Sequence, residues 1–316
     1  MRLLIAVDSV VTTDMLMNAV ASRRWPRGTR ARVLSVVEDE TVPRKVWREA
    51  GYSADAVRQE MRSRGEQISA LTVEPLKRLG IEAEVSIMRG DPRWLIAREA
   101  RKWPADLLLI RAHNRIDFRS WMLGSVARTV VREAPCSVEV VRAAGDDLSV
   151  AGNGHTKILL ATDGTEHSTV AARAIAVRPW PEGAEVKVMS MVNPVLYSME
   201  EIGLYQGGGT ERAHKAIGDA AEILKETGAE ISGEVIADRP AKRILDGAKD
   251  WGADLIVVGS RDRRGIRRLL SASVSEAVAS RAHCSVKVVR AARRGAGVYA
   301  APRRRTAAGR VGGVRR

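Results

Sequence analysis

The sequence predicts an α/β fold: two tandem, doubly wound domains, each built on a five-stranded parallel sheet. Three observations predict it. Short apolar runs alternate with helix-patterned segments, as in a parallel sheet covered on both faces. The second half repeats the first at constant offsets. One strand–loop–helix unit also occurs twice: Leu255-Ile-Val-Val-Gly259-Ser-Arg-Asp262 leading to Ala272-Ser273-Val274, and Leu107-Leu-Leu-Ile-Arg111-Ala-His-Asn114 leading to Gly124-Ser125-Val126. In such a unit the helix N-terminus points unpaired N–H groups into the crevice beyond the strand, a place suited to anions.

The repeat is read directly from the chain. Asp8, Trp25, Pro26, Gly28, Val33, Ser35 and Val37 recur 155 positions later as Asp163, Trp180, Pro181, Gly183, Val188, Ser190 and Val192. Pro92, Trp103, Ala105-Asp106-Leu107 and Ala134 recur 148 positions later as Pro240, Trp251, Ala253-Asp254-Leu255 and Ala282. The closing run Val140-Val-Arg-Ala-Ala144 matches Val288-Val-Arg-Ala-Ala292. Two constant offsets separated by one seven-residue change mean a duplicated domain. The polar, Gly-rich stretch 145–156 then reads as a linker between domains at 1–144 and 157–292, with an Arg-rich tail at 293–316.

In the first copy, Leu3–Val7 reads as a buried strand, Met15–Ser22 as a helix and Arg32–Val37 as the second strand. Val57, Met61, Ile68 and Leu71 lie at helical spacings and mark a long helix. Strand Glu82–Ile87 follows, then a helix opening at Asp91-Pro92, where proline suits the first turn. Strand Asp106–Ile110, a helix carrying Val126 and Val130, and strand Ser137–Val141 complete the unit. The second copy repeats this order from Lys157, with Ile217, Ala221 and Leu224 marking its long helix. Gly207-Gly-Gly209 has no strand leading into it and reads as a loop rather than a phosphate cradle.

Composition bounds the function. Among 316 residues, 45 % are hydrophobic, enough for ordinary cores, and no apolar run is long enough for a bilayer. The apolar run Leu3–Val7 is cut by Asp8, too short for a signal sequence, so a cytoplasmic location is expected. Cys136 and Cys284 open equivalent strands and read as buried thiols rather than a disulfide or metal pair. Of the net charge of +14, eight charges are arginines within 291–316, a stretch without an acid. That tail is expected to be a disordered, solubilising extension, with weak, non-specific nucleic-acid contact as its alternative. His113, His155, His167, His214 and His283 have no Ser or Cys pattern around them, which argues against a hydrolytic triad.

The paired units resemble a tandem universal stress protein, and the resemblance runs from Met1 to Ala292. Nucleotide-binding members of that family carry G-x2-G-x9-G-[S/T] after the fourth strand and an Asp ending the first. Here the second copy reads Gly259-x2-Asp262-x9-Ala272-Ser273, and the first Arg111-x2-Asn114-x9-Gly124-Ser125. Spacing is kept in both, while two of three glycines are replaced in each. The resemblance implies an adenine nucleotide alpha hydrolase-like, Rossmann-like fold and degenerate sites for ATP, with magnesium accompanying it. The residues it implies are Asp163, Val192, Gly259, Asp262, Ala272, Ser273 and Val274 in the second copy. In the first they are Asp8, Val37, Arg111, Asn114, Gly124, Ser125 and Val126.

Each has a plainer reading. Asp8 and Asp163 can cap the following helices, Val37 and Val192 can be core, and Ser125 and Ser273 can be helix caps. Arg111 at a left-handed position would cost about 1–2 kcal/mol, although its guanidinium can itself meet a phosphate. Asp262, about 4 Å from a phosphate, would repel it by about 1–4 kcal/mol between bulk water and an effective dielectric of 20. The expectation is therefore a non-catalytic stress-response protein acting through an unidentified protein partner. The alternatives are an ATP-binding switch with at most slow hydrolysis, and a nucleic-acid-associated protein using its tail. The final strands Ser137–Val141 and Ser285–Val289 would lie at sheet edges, which are usually covered or paired. The resemblance implies that the two copies pair through them into an internal pseudo-dimer, with a homo-oligomer as a further level of assembly.

Overall fold

The computed structural model describes residues 1–8, 10–22, 24–38, 54–112, 123–142, 157–204, 207–260 and 274–291. Asn114, Asp262, Ala272, Ser273, the linker at 145–156 and the tail at 293–316 lie outside the described residues. The first half runs β1 (Arg2–Val7), α1 (Val10–Ala21), β2 (Arg30–Val37), α2 (Ala54–Arg78), β3 (Glu82–Arg89), α3 (Pro92–Lys102), β4 (Leu107–Arg111), α4 (Ser125–Glu133) and β5 (Ser137–Val141). The second runs β6 (Lys157–Thr162), α5 (Glu166–Ala176), β7 (Glu185–Val192), α6 (Pro194–Glu201) and α7 (Gly209–Leu224). It continues with β8 (Glu230–Ala237), α8 (Pro240–Trp251), β9 (Leu255–Gly259), α9 (Val274–Arg281) and β10 (Ser285–Val289).

All ten strands form one sheet in the order β3-β2-β1-β4-β5-β10-β9-β6-β7-β8. Pairing is parallel throughout except at the centre, where β5 and β10 run antiparallel. The chain winds outward from β1 through β2 to β3, then returns to place β4 on the other side of β1. The same reversal occurs between β6 and β9. Such switch points leave a crevice beyond the carboxyl ends of the strands.

Asp106 and Asp254 precede the strands expected to contain or follow them, and each pins the start of its half. Arg2 donates its N–H to Asp106 Oδ2 at 2.7 Å, and Lys157 donates to Asp254 Oδ2 at 2.9 Å. The repeated Ala-Asp-Leu is thus a strand-aligning device. Trp25 and Trp180 are matched in the same way, donating ring N–H groups to the carbonyls of Val20 and Ile175. Helix α1 begins earlier than the sequence reading placed it. Helix α6 is an element that reading missed, although Asn193-Pro194 signals it: Asn193 Oδ1 accepts from Val195 N at 2.9 Å.

Three apolar clusters hold the layers. Two lie on one face, under α1 and α2 and under α5 and α7 respectively. On the opposite face a single cluster spans both halves, including Leu108, Val130, Val138 and Val140 with Ile256, Val278, Val286 and Val288. Full burial of a valine is worth about 1.5–3 kcal/mol, so the four seam valines, all fully buried, are a substantial adhesive.

The seam is closed by two arginines from equivalent positions of the repeat. Arg142 passes its backbone N–H to Ser285 Oγ at 3.1 Å, Nη1 to the Cys284 carbonyl at 3.3 Å and Nη2 to the Ala279 carbonyl at 2.5 Å. Arg290 repeats the pattern on the first half, giving its N–H to Ser137 Oγ at 3.2 Å, Nη1 to Cys136 O at 3.1 Å and Nη2 to Val131 O. Each guanidinium therefore meets orphan carbonyls in the last turn of the other half's final helix, where the helix dipole also favours a cation. Burial pulls the Arg142 pKa down to about 10, opposed by its proximity to Cys284, so it stays charged at neutral pH.

Arg142→Ala should leave buried carbonyls without donors and destabilise the chain by about 2–4 kcal/mol. Urea denaturation will read it, and Arg142→Lys should recover only part because a single ammonium lacks the two-pronged reach. Cys136 and Cys284 are free and buried, and burial pushes both thiols up to about 12. Neither should react with iodoacetamide at pH 8 in the folded chain, and both should react in urea; mass spectrometry distinguishes the two cases.

Candidate functional site

A cavity of about 630 Å³ opens at the first switch point, beyond the carboxyl ends of β1 and β4. The turn out of β1 gives it Asp8, the end of β2 gives Val36 and Glu38, and α3 gives Pro92 and Ile96. The end of β4 supplies Arg111, and the first turn of α4 supplies Gly124, Ser125, Val126, Ala127 and Arg128. The volume suits a small-molecule ligand.

The electrostatics of the cavity are uneven. The N-cap of α4, Gly124, makes no side-chain cap hydrogen bond, so the first-turn N–H groups face the cavity without that partner. Arg111 and Arg128 line the same space, and among the described residues the buried Nε of each has no hydrogen-bond partner. Arg128 also reaches back from Nη2 to the Leu123 carbonyl at 3.4 Å, which orients it across the helix start. Two arginines and a helix N-terminus thus line the same cavity. Asp8 and Glu38 supply carboxylates elsewhere along the wall. The backbone carbonyl of Asp8 is held by Arg64 of α2, whose Nε also donates to Ser35 Oγ at 3.0 Å.

Of the residues named from the sequence, this cavity brings together Asp8, Arg111, Gly124, Ser125 and Val126. Val37 is not part of the lining; its neighbours Val36 and Glu38 are, because alternate side chains of β2 face opposite sides of the sheet. Sequence reasoning also missed Arg128, one helical turn beyond Ser125. Its signal was its i+3 spacing from the helix start, which puts it on the same face.

The second half departs from this arrangement. Asp163 is exposed and turned onto its own backbone, its Oδ1 accepting from Thr165 N at 3.1 Å and Thr165 Oγ1 at 2.6 Å. Val192 is buried under the start of α7, and Val274 opens α9 half exposed. A Cβ at Gly259 would lie 2.5 Å from the carbonyl oxygen of His167 and 2.9 Å from Ser168 N. Helix α5 packs there, so this glycine is required by a backbone crossing. The N-terminus of α7 after Gly207-Gly-Gly209 is taken by Glu200, which accepts from Gly209 N at 2.6 Å and from the Thr210 hydroxyl at 2.8 Å. Those contacts hold the Glu200 carboxyl below its usual range. Among the described residues no group of three His, Cys, Asp or Glu side chains gathers as metal ligands, and no helix is long and apolar enough to cross a membrane.

A doubly wound parallel sheet with a crevice at its switch point defines the class of open α/β domains that take ligands beyond the carboxyl ends of their strands. Within that class, the profile of the universal stress protein family matches residues 1–142 and 154–290, and the chain belongs to that family. A universal stress protein of Mycobacterium tuberculosis (strain ATCC 25618 / H37Rv) is 28 % identical over 200 residues, 59 % of this chain and 62 % of the relative. The match thus spans just under two thirds of that relative's length. A universal stress protein of Methanocaldococcus jannaschii is 31 % identical over 146 residues, 44 % of this chain and 84 % of the relative. The crystal structure of a universal stress protein from Archaeoglobus fulgidus aligns over 92 % of this chain and 96 % of its own, at 20 % identity and a TM-score of 0.61. That last likeness is one of fold.

Gly259→Ala should destabilise the second half by about 1–3 kcal/mol, since the new methyl meets α5 backbone rather than a movable side chain. Thermal melting monitored by circular dichroism will show whether this glycine is structural in the absence of any ligand.

Proposed function

We propose that the chain is a non-catalytic stress-response protein that holds an adenine nucleotide in the first-half cavity and acts through contacts with a protein partner. The presence of Arg111, Arg128 and the α4 N-terminus in the lining of one cavity carries this reading. Among the described residues neither buried Nε–H has an acceptor; such groups are costly unless one arrives, and phosphate oxygens are acceptors of the right charge. Asp8 and Glu38 offer acceptors to the hydroxyls of a ribose, and the apolar wall of Val36 and Ile96 suits a base. Where the family motif uses glycine to bring backbone to phosphate, this half brings a guanidinium instead.

The degenerate second motif fits an assignment of the nucleotide to the first half. The Asp163 carboxylate is engaged with Thr165, and Asp262 would set a negative charge in the phosphate loop.

Isothermal titration of the full chain with ATP should show one saturable site. Arg111→Ala and Arg128→Ala should each weaken it by about 10- to 100-fold, the loss of one charge-assisted contact. Absence of binding heat at millimolar ATP, or full affinity in both variants, would remove the nucleotide from this reading.

A further inference from the structure

The β5–β10 seam is a selective interface: we infer that its central charge pair makes each half recognise the other half and reject a second copy of itself. The register pairs Val140 with Val286, Glu139 with Lys287 and Val138 with Val288. Glu139 and Lys287 are also equivalent positions of the repeat, 148 residues apart. The pseudo-two-fold axis therefore passes through this pair. In any pairing of identical halves, the residue at this position would stand opposite its own copy.

The surrounding sequence isolates the point. Cys136-Ser-Val-Glu-Val-Val-Arg-Ala-Ala144 and Cys284-Ser-Val-Lys-Val-Val-Arg-Ala-Ala292 differ at this one position in nine. The four seam valines, the two serines that accept the arginine N–H groups and the two arginines are the same in both halves. Within these paired strands, apart from position 139 and its equivalent, first-with-first, second-with-second and first-with-second pairings would present the same groups. Along the strands, the axial residue alone distinguishes them.

Burial makes the distinction strong. Glu139 is fully buried and Lys287 is 6 % exposed. Two carboxylates or two ammonium groups facing each other there would be poorly screened by salt. First-with-second pairing sets opposite charges across the strands. An exposed β5 or β10 edge is otherwise a template for any strand of like pattern, so the charge pair acts against open, chain-to-chain association.

The test uses the full chain in three forms: Glu139→Lys, Lys287→Glu, and the exchange carrying both. Each single change makes every pairing like-charged. Each should lower the melting temperature by about 5–10 °C and yield mixed or concentration-dependent masses by light scattering. The exchange should regain most of the lost melting temperature and the mass of the unmodified chain. Should a single variant fail to fold, folding of the exchange is itself the rescue. Singles with unchanged melting and mass, or an exchange as impaired as the singles, would overturn the inference. Neither outcome depends on nucleotide binding.

Discussion

The antiparallel contact of β5 with β10 is the constraint on which the rest of this molecule depends. Each half alone would end in a short strand with one unpaired edge, and with half of a valine cluster exposed beside it. Joining the edges turns two five-stranded sheets into one of ten and lets a single apolar cluster run beneath α3, α4, α9 and α8. The crossed arginines then satisfy helix-terminal carbonyls that water would otherwise have to reach. Thiols, serines and valines of the seam are buried because that contact exists.

The two halves differ at the ends of β4 and β9, where a ligand would sit, and are nearly identical along the strands where they meet. At the end of β4 the first half carries Arg111 and the second, at the end of β9, carries Gly259. Reading that exchange as the loss of a phosphate cradle covers only part of what glycine does. Gly259 lets α5 cross the strand at backbone distance, a packing role that operates with or without an anion. Arg111 in turn lies along a cavity wall, where a long cation would be within reach of an anionic ligand. A glycine motif of this kind records both close packing and ligand approach, and its residues can be replaced one role at a time.

Fold class was legible in the sequence because buried parallel strands write themselves as apolar runs, and because duplication lets each half check the other. Strand ends and the missed helix α6 were less legible, since their limits depend on caps such as Asn193 and on pinning contacts such as Arg2 with Asp106. The seam pairing followed from edge logic together with the family resemblance, but its arginines passed as part of a matched closing run. Their partners are carbonyls, which leave no trace in residue type. In the cavity, Asp8, Arg111 and the Gly124-Ser125-Val126 turn could be named from motif spacing. Val36, Glu38 and Arg128 could not, because which side of β2 and which turn of α4 face the crevice is decided by packing.

Helix α4 touches both places at once. Its first turn opens on the cavity and its last turn receives Arg290 from the other half. At nine residues it is about 13 Å long, so an anion at one end and a cation at the other would polarise the same short peptide dipole. The second half thus contributes a terminal charge to a crevice it does not line. A lone copy of the first half would present the same wall residues along a helix left unbalanced at its far end. Duplication here supplies a counter-charge as well as a surface.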